Sequence, residues 1–425
     1  MHPVGATAFS SVVALFAMIC IQAAFVSVLS SNKLIGALFS IPALWGMLGV
    51  ALFDWLMMHG PLAMPGTMLG LSVSDSVIAD MWVPIAGSFS LTLVVLVVNG
   101  ILVATVLKRR LHVASLVLGT LLVGIPMLGS SEPLGTSSAR LGITAIQPGI
   151  SPSEWANVSD SSKTLRLEAL LAGAHDEFPH TGVFVFPETS LPIANAASLR
   201  QTVQKWASKF NASVIAGGIE LDESGGFFNV VVGSDGSPNP FLYRKRRLVP
   251  FVEAVPLGEY LPFSDRFQLD SGGVTSYGEG SILAPYDLRG TLVGSLICFE
   301  SFFPSDARSL SLARADLIVV PTQDGWWNSQ AARAQHLAYT RLLALAAGIP
   351  IVQTAVDGDT AMFSAQGTVV AKSRSNNLEY VHAEIPLERV ETMYLQLGDS
   401  PSNVILICLL LIYLIGYSSS RYRRN

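Results

Sequence analysis

Apolar positions along the chain fall into two regimes. In the first they run almost unbroken over residues 8–30, 34–58, 83–107 and 111–129, and again over 403–417 in "NVILICLLLIYLIGY". A helix needs about 20 residues to cross the hydrocarbon of a bilayer, so these runs predict four transmembrane helices and a fifth near the C-terminus. The segment before the fifth, "QLGDSPSN", supplies Ser, Asn and Pro as helix-start signals. The first run lacks a basic leader and is followed almost at once by another, which predicts a retained span rather than a cleaved signal. Residues 60–80, "GPLAMPGTMLGLSVSDSVIAD", are rich in Gly, Pro and Ser and predict an external loop near the membrane surface.

In the second regime the apolar runs are short and separated by polar turns. They are "LGITAIQP" (141–148), "GVFVFPE" (182–188), "ASVIAGGIE" (212–220), "FFNVVVG" (227–233), "TLVGSLICFE" (291–300), "ADLIVVPTQD" (315–324) and "IPIVQTAVDG" (349–358). Each has the length of a strand. Several are apolar throughout rather than alternating, the pattern of strands covered on both faces. Two intervening segments read as helices: "SDSSKTLRLEALLAGA" begins on Ser/Asp caps, and "NSQAARAQHLAYTRLLALAAG" begins at Asn328 and stops at Gly348. The pattern predicts an α/β fold with two sheets and outer helices. No internal repeat or low-complexity tract interrupts it. The expected organisation is a membrane domain over 1–130, a catalytic domain over 138–395, a C-terminal transmembrane helix over 403–418 and a tail over 419–425.

Composition agrees with a membrane protein that carries a sizeable extramembrane part: of 425 residues, 50% are hydrophobic and only 13% charged. The formal charge of −5 and the lack of any long Lys/Arg block exclude direct gripping of a nucleic-acid backbone. Placing the basic clusters at Lys33, Lys108–Arg110 and Arg421–Arg424 on the inner side of a bacterial plasma membrane puts residues 130–400 outside, in a periplasm for a Gram-negative cell. Cys20 and Cys408 then fall within spans, and Cys298 is the single extramembrane cysteine, with no partner for an internal disulfide.

Four short runs deliver a polar or charged residue where the apolar strand stops, which brings Glu188, Cys298, Glu300 and Asp324 to strand ends. Ligand sites in open α/β sheets lie beyond such ends. The run "FLYRKRRLVPFVEAVPLGEYLP" adds Lys245 and, in a Pro-punctuated loop, Glu253. The seven histidines are scattered without ligand spacing and no Gly-rich phosphate loop follows a strand, so neither a metal nor another cofactor is expected. His336, mid-helix in "AQHLAY", reads as a structural hydrogen-bonding residue.

"FVFPETSLP", "YRKRRLVPF" followed by Glu253, and "ICFESFFP", in that order, resemble the three signature segments of the carbon–nitrogen hydrolase (nitrilase) superfamily. With the flanking spans and "QDGWWNSQAARAQHLAYTRLLALAAGIPIVQTAVDG", the chain is similar to apolipoprotein N-acyltransferases and to a shortened group encoded among conjugal-transfer genes. The resemblance implies a nitrilase-like α-β-β-α sandwich attached to a bundle of transmembrane helices. It implies Glu188 as base, Lys245 as fixed cation and Cys298 as nucleophile, with Glu253 and Glu300 in support. Trp155, Phe299, Trp326 and Trp327 are candidates for a substrate pocket. A Cys298 thioester would form from a phospholipid acyl donor and pass to a lipoprotein or peptide amine. Water as acceptor would make the chain a membrane-tethered amidase, and an unused site would make it a conjugation accessory protein. Two positions depart from the pattern: Val252 stands where the lysine loop usually has Gly, and Phe299 where Tyr often follows the nucleophile.

Overall fold

A computed structural model of the chain describes residues 41–60, 62–108, 139–151, 154–155, 157–260, 276–326, 329–374, 377–408 and 410. The described residues divide into two compact units, one containing 139–391 and the other 41–108 together with 392–410. The expected spans at 8–30 and 111–129 lie outside the described residues.

The smaller unit contains helices α1 (Ile41–Met58), α2 (Val77–Ala86) and α3 (Phe89–Lys108). The apolar run over 83–107 is therefore two helices rather than one. Gly87 breaks it with φ +74, and a Cβ there would lie 2.6 Å from the Tyr394 ring, so only glycine fits the turn. The predicted loop over 60–80 also holds more structure than expected: one-turn helices at Pro65–Thr67 and Leu69–Val73, then the start of α2. Leu48 and Ala51 pack against Phe89, Leu93, Leu96 and Leu406. Asp54 is buried in this apolar unit, and it accepts hydrogen bonds from the Leu69 amide (2.9 Å) and the Thr92 hydroxyl (2.8 Å). Among the described residues no helix is long and apolar enough to cross a membrane; side chains of α3 are described as far as Asn99. The C-terminal apolar run is helical over 400–408.

The larger unit is built on two six-stranded sheets. The first contains β1 (Arg140–Gln147), β2 (Val183–Val185), β3 (Ser213–Leu221), β4 (Phe227–Ser234) and β5 (Phe241–Arg244). The second contains β6 (Tyr286–Leu288), β7 (Thr291–Ser295), β8 (Leu317–Thr322), β9 (Ile351–Ala355), β10 (Ala361–Phe363) and β11 (Val369–Lys372). Strand β12 (Glu379–Pro386) returns to the first sheet. The orders are β12-β1-β2-β3-β4-β5 and β11-β10-β9-β8-β7-β6. Each sheet has three parallel strands at its centre, β1-β2-β3 and β7-β8-β9, flanked by antiparallel neighbours.

Three apolar layers explain the nearly continuous strand runs. Ile143, Val185, Ile215, Val231 and Tyr243 of the first sheet meet Val293, Val319, Val352 and Met362 of the second. The other face of the first sheet, with Phe184, Val214 and Val230, is covered by Leu167 and Leu171 of α4 (Asp160–Glu177) and Leu199, Val203 and Trp206 of α5 (Ala196–Phe210). The other face of the second sheet packs on Ala307 and Leu310 of α6 (Pro304–Leu312) and Leu337, Leu343 and Ala347 of α7 (Gln330–Ala347). The layers thus run helix, sheet, sheet, helix. Ser159 caps α4 by accepting from Ser162 N and Gly348 ends α7 at φ +61, as read from the sequence, whereas the cap of α7 is Ser329, accepting from Ala332 N, one residue beyond the expected start at Asn328.

Candidate active site

Strand parity decides which charges enter the space between the sheets. Side chains alternate faces along a strand, and Tyr243 of β5 points into the inter-sheet layer. Lys245, two residues on, continues on that face and is 1% exposed. Arg244 takes the other face, where its guanidinium lies 3.9 Å from the Phe228 ring centroid and pairs with Glu220. The same parity brings Asn229 of β4 to the inner face with Val231, and the Lys245 amide donates to the Asn229 carbonyl at 2.8 Å.

A buried charge cluster results. Lys245 Nζ lies 2.9 Å from Glu253 Oε1 and 3.2 Å from Glu188 Oε1. Asn229 Nδ2 donates to the same two oxygens, at 2.7 Å to Glu188 and 3.2 Å to Glu253. The second Glu253 oxygen accepts from the Val249 amide at 2.8 Å. Burial alone would lower the ammonium, but the facing carboxylates of Glu188 and Glu253 hold it well above the usual lysine range. One cation between two carboxylates offsets the desolvation that a buried charge otherwise suffers. Tyr277 closes another side: its amide donates to the Glu253 carbonyl at 2.9 Å, and burial beside Glu253 and Glu188 pushes its phenol well up.

Cys298 follows β7 at the head of a one-turn helix, Cys298–Phe302, in the left-handed region at φ +48. A non-glycine residue rarely adopts that conformation, and here it ends the strand abruptly. Cys298 remains partly exposed, yet its thiol is held well above the ordinary cysteine range. Burial is the main cause; Glu188 and Asp324 add to it, while Lys245 and the Gln323 amide oppose it. The resting group is therefore the neutral thiol.

Glu300 fastens this turn to the lysine loop. One oxygen accepts from the amides of Arg246 (2.7 Å) and Arg247 (3.1 Å), and the other from the Ile297 amide (2.7 Å), while the Tyr243 hydroxyl spans both at 2.8 and 2.9 Å. Burial pushes its carboxyl up to about 6 against the opposing pull of these donors.

Among the residues expected at a site, Glu188, Lys245 and Glu253 share one cluster, Cys298 is electrostatically coupled to it, and Glu300 braces it. Phe299 packs edge-on against Phe302 and Phe303, at 5.6 and 5.3 Å between centroids. Trp155 lies in the outer-face core of the first sheet with Lys163 Nζ 6.0 Å above its ring. The side chain of Trp326 and all of Trp327 fall outside the described residues. Val252 in place of Gly is accommodated because the positive φ of that turn, +65, falls on Phe251. Asn229, Tyr243 and Tyr277 were not singled out from the sequence. Asn229 did leave a signal, an amide in the otherwise apolar strand "FFNVVVG".

Asp324 and His336 also adjoin the nucleophile turn. A Cys298 sulfur, an Asp324 oxygen and a His336 nitrogen lie within 4.8 Å of one another. Both imidazole nitrogens are hydrogen-bonded, Nδ1 to Asp324 Oδ1 at 2.8 Å and Nε2 to Ser301 Oγ at 2.7 Å, so the group is built as a hydrogen-bond chain rather than as an ion cage.

The arrangement provides a carboxylate to receive a proton, a fixed cation to stabilise an oxyanion, and a thiol on a strand-to-helix turn. Comparison with known proteins identifies the family. The Carbon-nitrogen hydrolase family model matches residues 142–394. The Apolipoprotein N-acyltransferase of Rickettsia prowazekii is 24% identical over 379 residues, covering 85% of this chain and 74% of that protein. That of Vibrio cholerae is 24% identical over 372 residues, covering 85% and 71%. A carbon-nitrogen hydrolase structure from Helicobacter pylori aligns at 19% identity and TM-score 0.46, covering 58% of this chain and 89% of that one. Since the family match takes in more than half of the chain, including every residue of the cluster, the chain belongs to the carbon-nitrogen hydrolase family.

Proposed function

We propose that the chain is a membrane-bound N-acyltransferase that carries an acyl group on Cys298. Its donor is a membrane phospholipid and its acceptor a lipoprotein or peptide amine. The observation that carries this reading is the buried Glu188–Lys245–Glu253 cluster electrostatically coupled to Cys298, which stands in a left-handed turn. The names of the relatives support N-acyl transfer as the outcome, and the basic clusters flanking the apolar runs support an inner-membrane enzyme with its catalytic unit on the periplasmic side.

Glu188 accepts the thiol proton as sulfur attacks the ester carbonyl. The carboxylate whose charge raises the thiol is also the proton's destination, so the transfer removes the charge that opposed the thiolate. Lys245 Nζ stabilises the tetrahedral oxyanion. Collapse breaks the ester C–O bond, and the lysophospholipid leaves with the proton from Glu188. The amine then attacks the thioester, Glu188 receives its proton, and the departing sulfur takes that proton back.

Intact-mass measurement of the purified protein, with and without phospholipid, tests the reading. An acyl adduct should appear on the wild type and vanish in Cys298→Ala. Absence of an adduct under conditions that acylate another N-acyltransferase of the family would overturn it, and turnover of small amides without lipid would favour a tethered amidase. The resemblance to the conjugal-transfer group adds a role in plasmid transfer to the proposal; mating frequency should then fall in Cys298→Ala.

A further inference from the structure

His336 and Asp324 are both fully buried and belong to neither motif of the charge cluster. Asp324 follows β8 and His336 lies on α7, so two elements converge on the nucleophile turn. Four contacts link them: His336 Nδ1 to Asp324 Oδ1 at 2.8 Å, His336 Nε2 to Ser301 Oγ at 2.7 Å, His336 Nε2 to the Cys298 carbonyl at 3.2 Å, and Ser301 Oγ to the same carbonyl at 2.7 Å.

Counting protons decides the charge state of this chain. The Cys298 carbonyl can only accept, so the 2.7 Å contact uses the one proton of the Ser301 hydroxyl. Ser301 Oγ then has only lone pairs for His336, and Nε2 must donate. One further proton lies between Asp324 Oδ1 and Nδ1; carried on nitrogen, facing a carboxylate that only accepts, it makes Nδ1 a donor too. An imidazole that donates from both nitrogens is an imidazolium. A neutral ring beside an ionised Asp324 would leave two lone pairs facing each other at one of these contacts.

We infer that His336 is held as an imidazolium by Asp324, and that the pair is a positioning and charge-balancing device for Cys298. As a donor chain it clamps the Cys298 carbonyl, which supports the left-handed turn at φ +48. As a neutral pair it cancels the Asp324 charge that would otherwise face the thiol. The ionisable groups around that thiol are Glu188 after β2, Lys245 after β5 with its partner Glu253, Asp324 after β8 and His336 on α7. Glu300 lies two residues along the turn. With His336 charged, the carboxylates that pair directly with Lys245 are Glu188 and Glu253. The inference deepens the acyl-thioester reading and rests on it for its purpose, but its test needs no acyl donor.

The test is the pH profile of Cys298 alkylation by iodoacetamide in the full-length detergent-solubilised protein, followed by mass spectrometry of the Cys298 peptide. His336→Gln keeps a hydrogen-bonding side chain and leaves Asp324 uncompensated. Its profile should move up by about one pH unit, which slows alkylation about tenfold on the rising limb. Asp324→Asn leaves no counter-charge to hold the proton, the ring becomes neutral, and the profile should stay at the wild-type position. The double variant His336→Gln/Asp324→Asn should return the profile to wild type even if each single variant lowers the thermal midpoint. A neutral histidine in the wild type predicts the reverse, an unmoved profile for His336→Gln and a downward shift for Asp324→Asn; that result overturns the inference. So does a double variant shifted as far as His336→Gln, because a merely structural role would not be repaired by removing the aspartate charge. Failure of acyl transfer with these shifts intact would count against the proposed function alone.

Discussion

Replacing Lys245 by Met preserves most of the stem and removes the charge, leaving Glu188 and Glu253 buried around Asn229 without a cation. Breaking a buried pair from one side costs about 3–5 kcal/mol, so the chemical-denaturation midpoint of Lys245→Met should fall by that equivalent and its acyl adduct should be lost. Glu300 gives a pH signature. Its ordinary value is 4.5 and the folded value is about 6. Between these the folded chain holds more protons than the unfolded one, so this contribution is fully present below about 4.5 and is lost as pH rises through 6. The difference is about 2 kcal/mol. Thermal midpoints measured from pH 4 to 7 should show this decline in the wild type, and Glu300→Gln should flatten it. At this scale the sequence was readable where chemistry is written in a fixed order: Glu188, Lys245 and Cys298 each sit in a recognisable segment. Asn229 and Tyr277 were not, because each acts through a fold that brings it to the site from another strand or loop. The His336 side chain announced only a structural bond; its charge depends on Ser301 and Asp324, which no local pattern relates to it.

Elements hold the site to tolerances that small changes exceed. Gly217 of β3 lies against the turn that carries Glu188: a Cβ there would meet the Pro187 carbonyl oxygen at 2.5 Å and the Glu188 Cα at 2.6 Å. These are backbone atoms and cannot swing aside, so Gly217→Ala should displace the base and lower the rate of Cys298 acylation by about tenfold or more. Gly66→Ala is the control, since nothing lies within 4 Å of a Cβ at that position. Stopped-time mass measurement of the adduct checks both. The seven apolar runs all contain strands, because strands covered on two faces leave continuous hydrophobic stretches. The missed strands are β10, which lies inside its sheet and is buried but has only three residues, and three at the margins: β6 is equally short, β11 is largely exposed, and β12 mixes Glu, His and Tyr with its apolar positions. Edge strands are paired on one side and lack the uniform burial that makes a pattern visible. The run "TLVGSLICFE" read as one strand to its end, whereas the ladder stops at Ser295 and Cys298 turns into a one-turn helix. A left-handed cysteine has no sequence signal, since propensity would place Gly or Asn there.

At the scale of the whole molecule, the sequence predicts a membrane region and an extramembrane catalytic region; the described residues form two units, one over 139–391 and the other over 41–108 with 392–410. The proposed sidedness has a direct test. Ser224 is exposed in the turn joining β3 to β4, and a Ser224→Cys protein should react with a membrane-impermeant maleimide in intact spheroplasts. Labelling only after lysis would place the catalytic unit inside. The two sheets share one plan, three central parallel strands flanked by antiparallel ones, although the chain carries no detectable internal repeat. Glu300, meanwhile, ties together two loops that come from different sheets, one following β5 and one following β7. For inheritance and for engineering this makes the two loops a single unit of exchange. Grafting the nucleophile turn of a relative without its lysine loop would strand backbone donors that only a carboxylate in one place can satisfy. Changes of acceptor preference in this family are therefore expected to arise by paired substitutions across these loops, each tolerated only in the presence of the other.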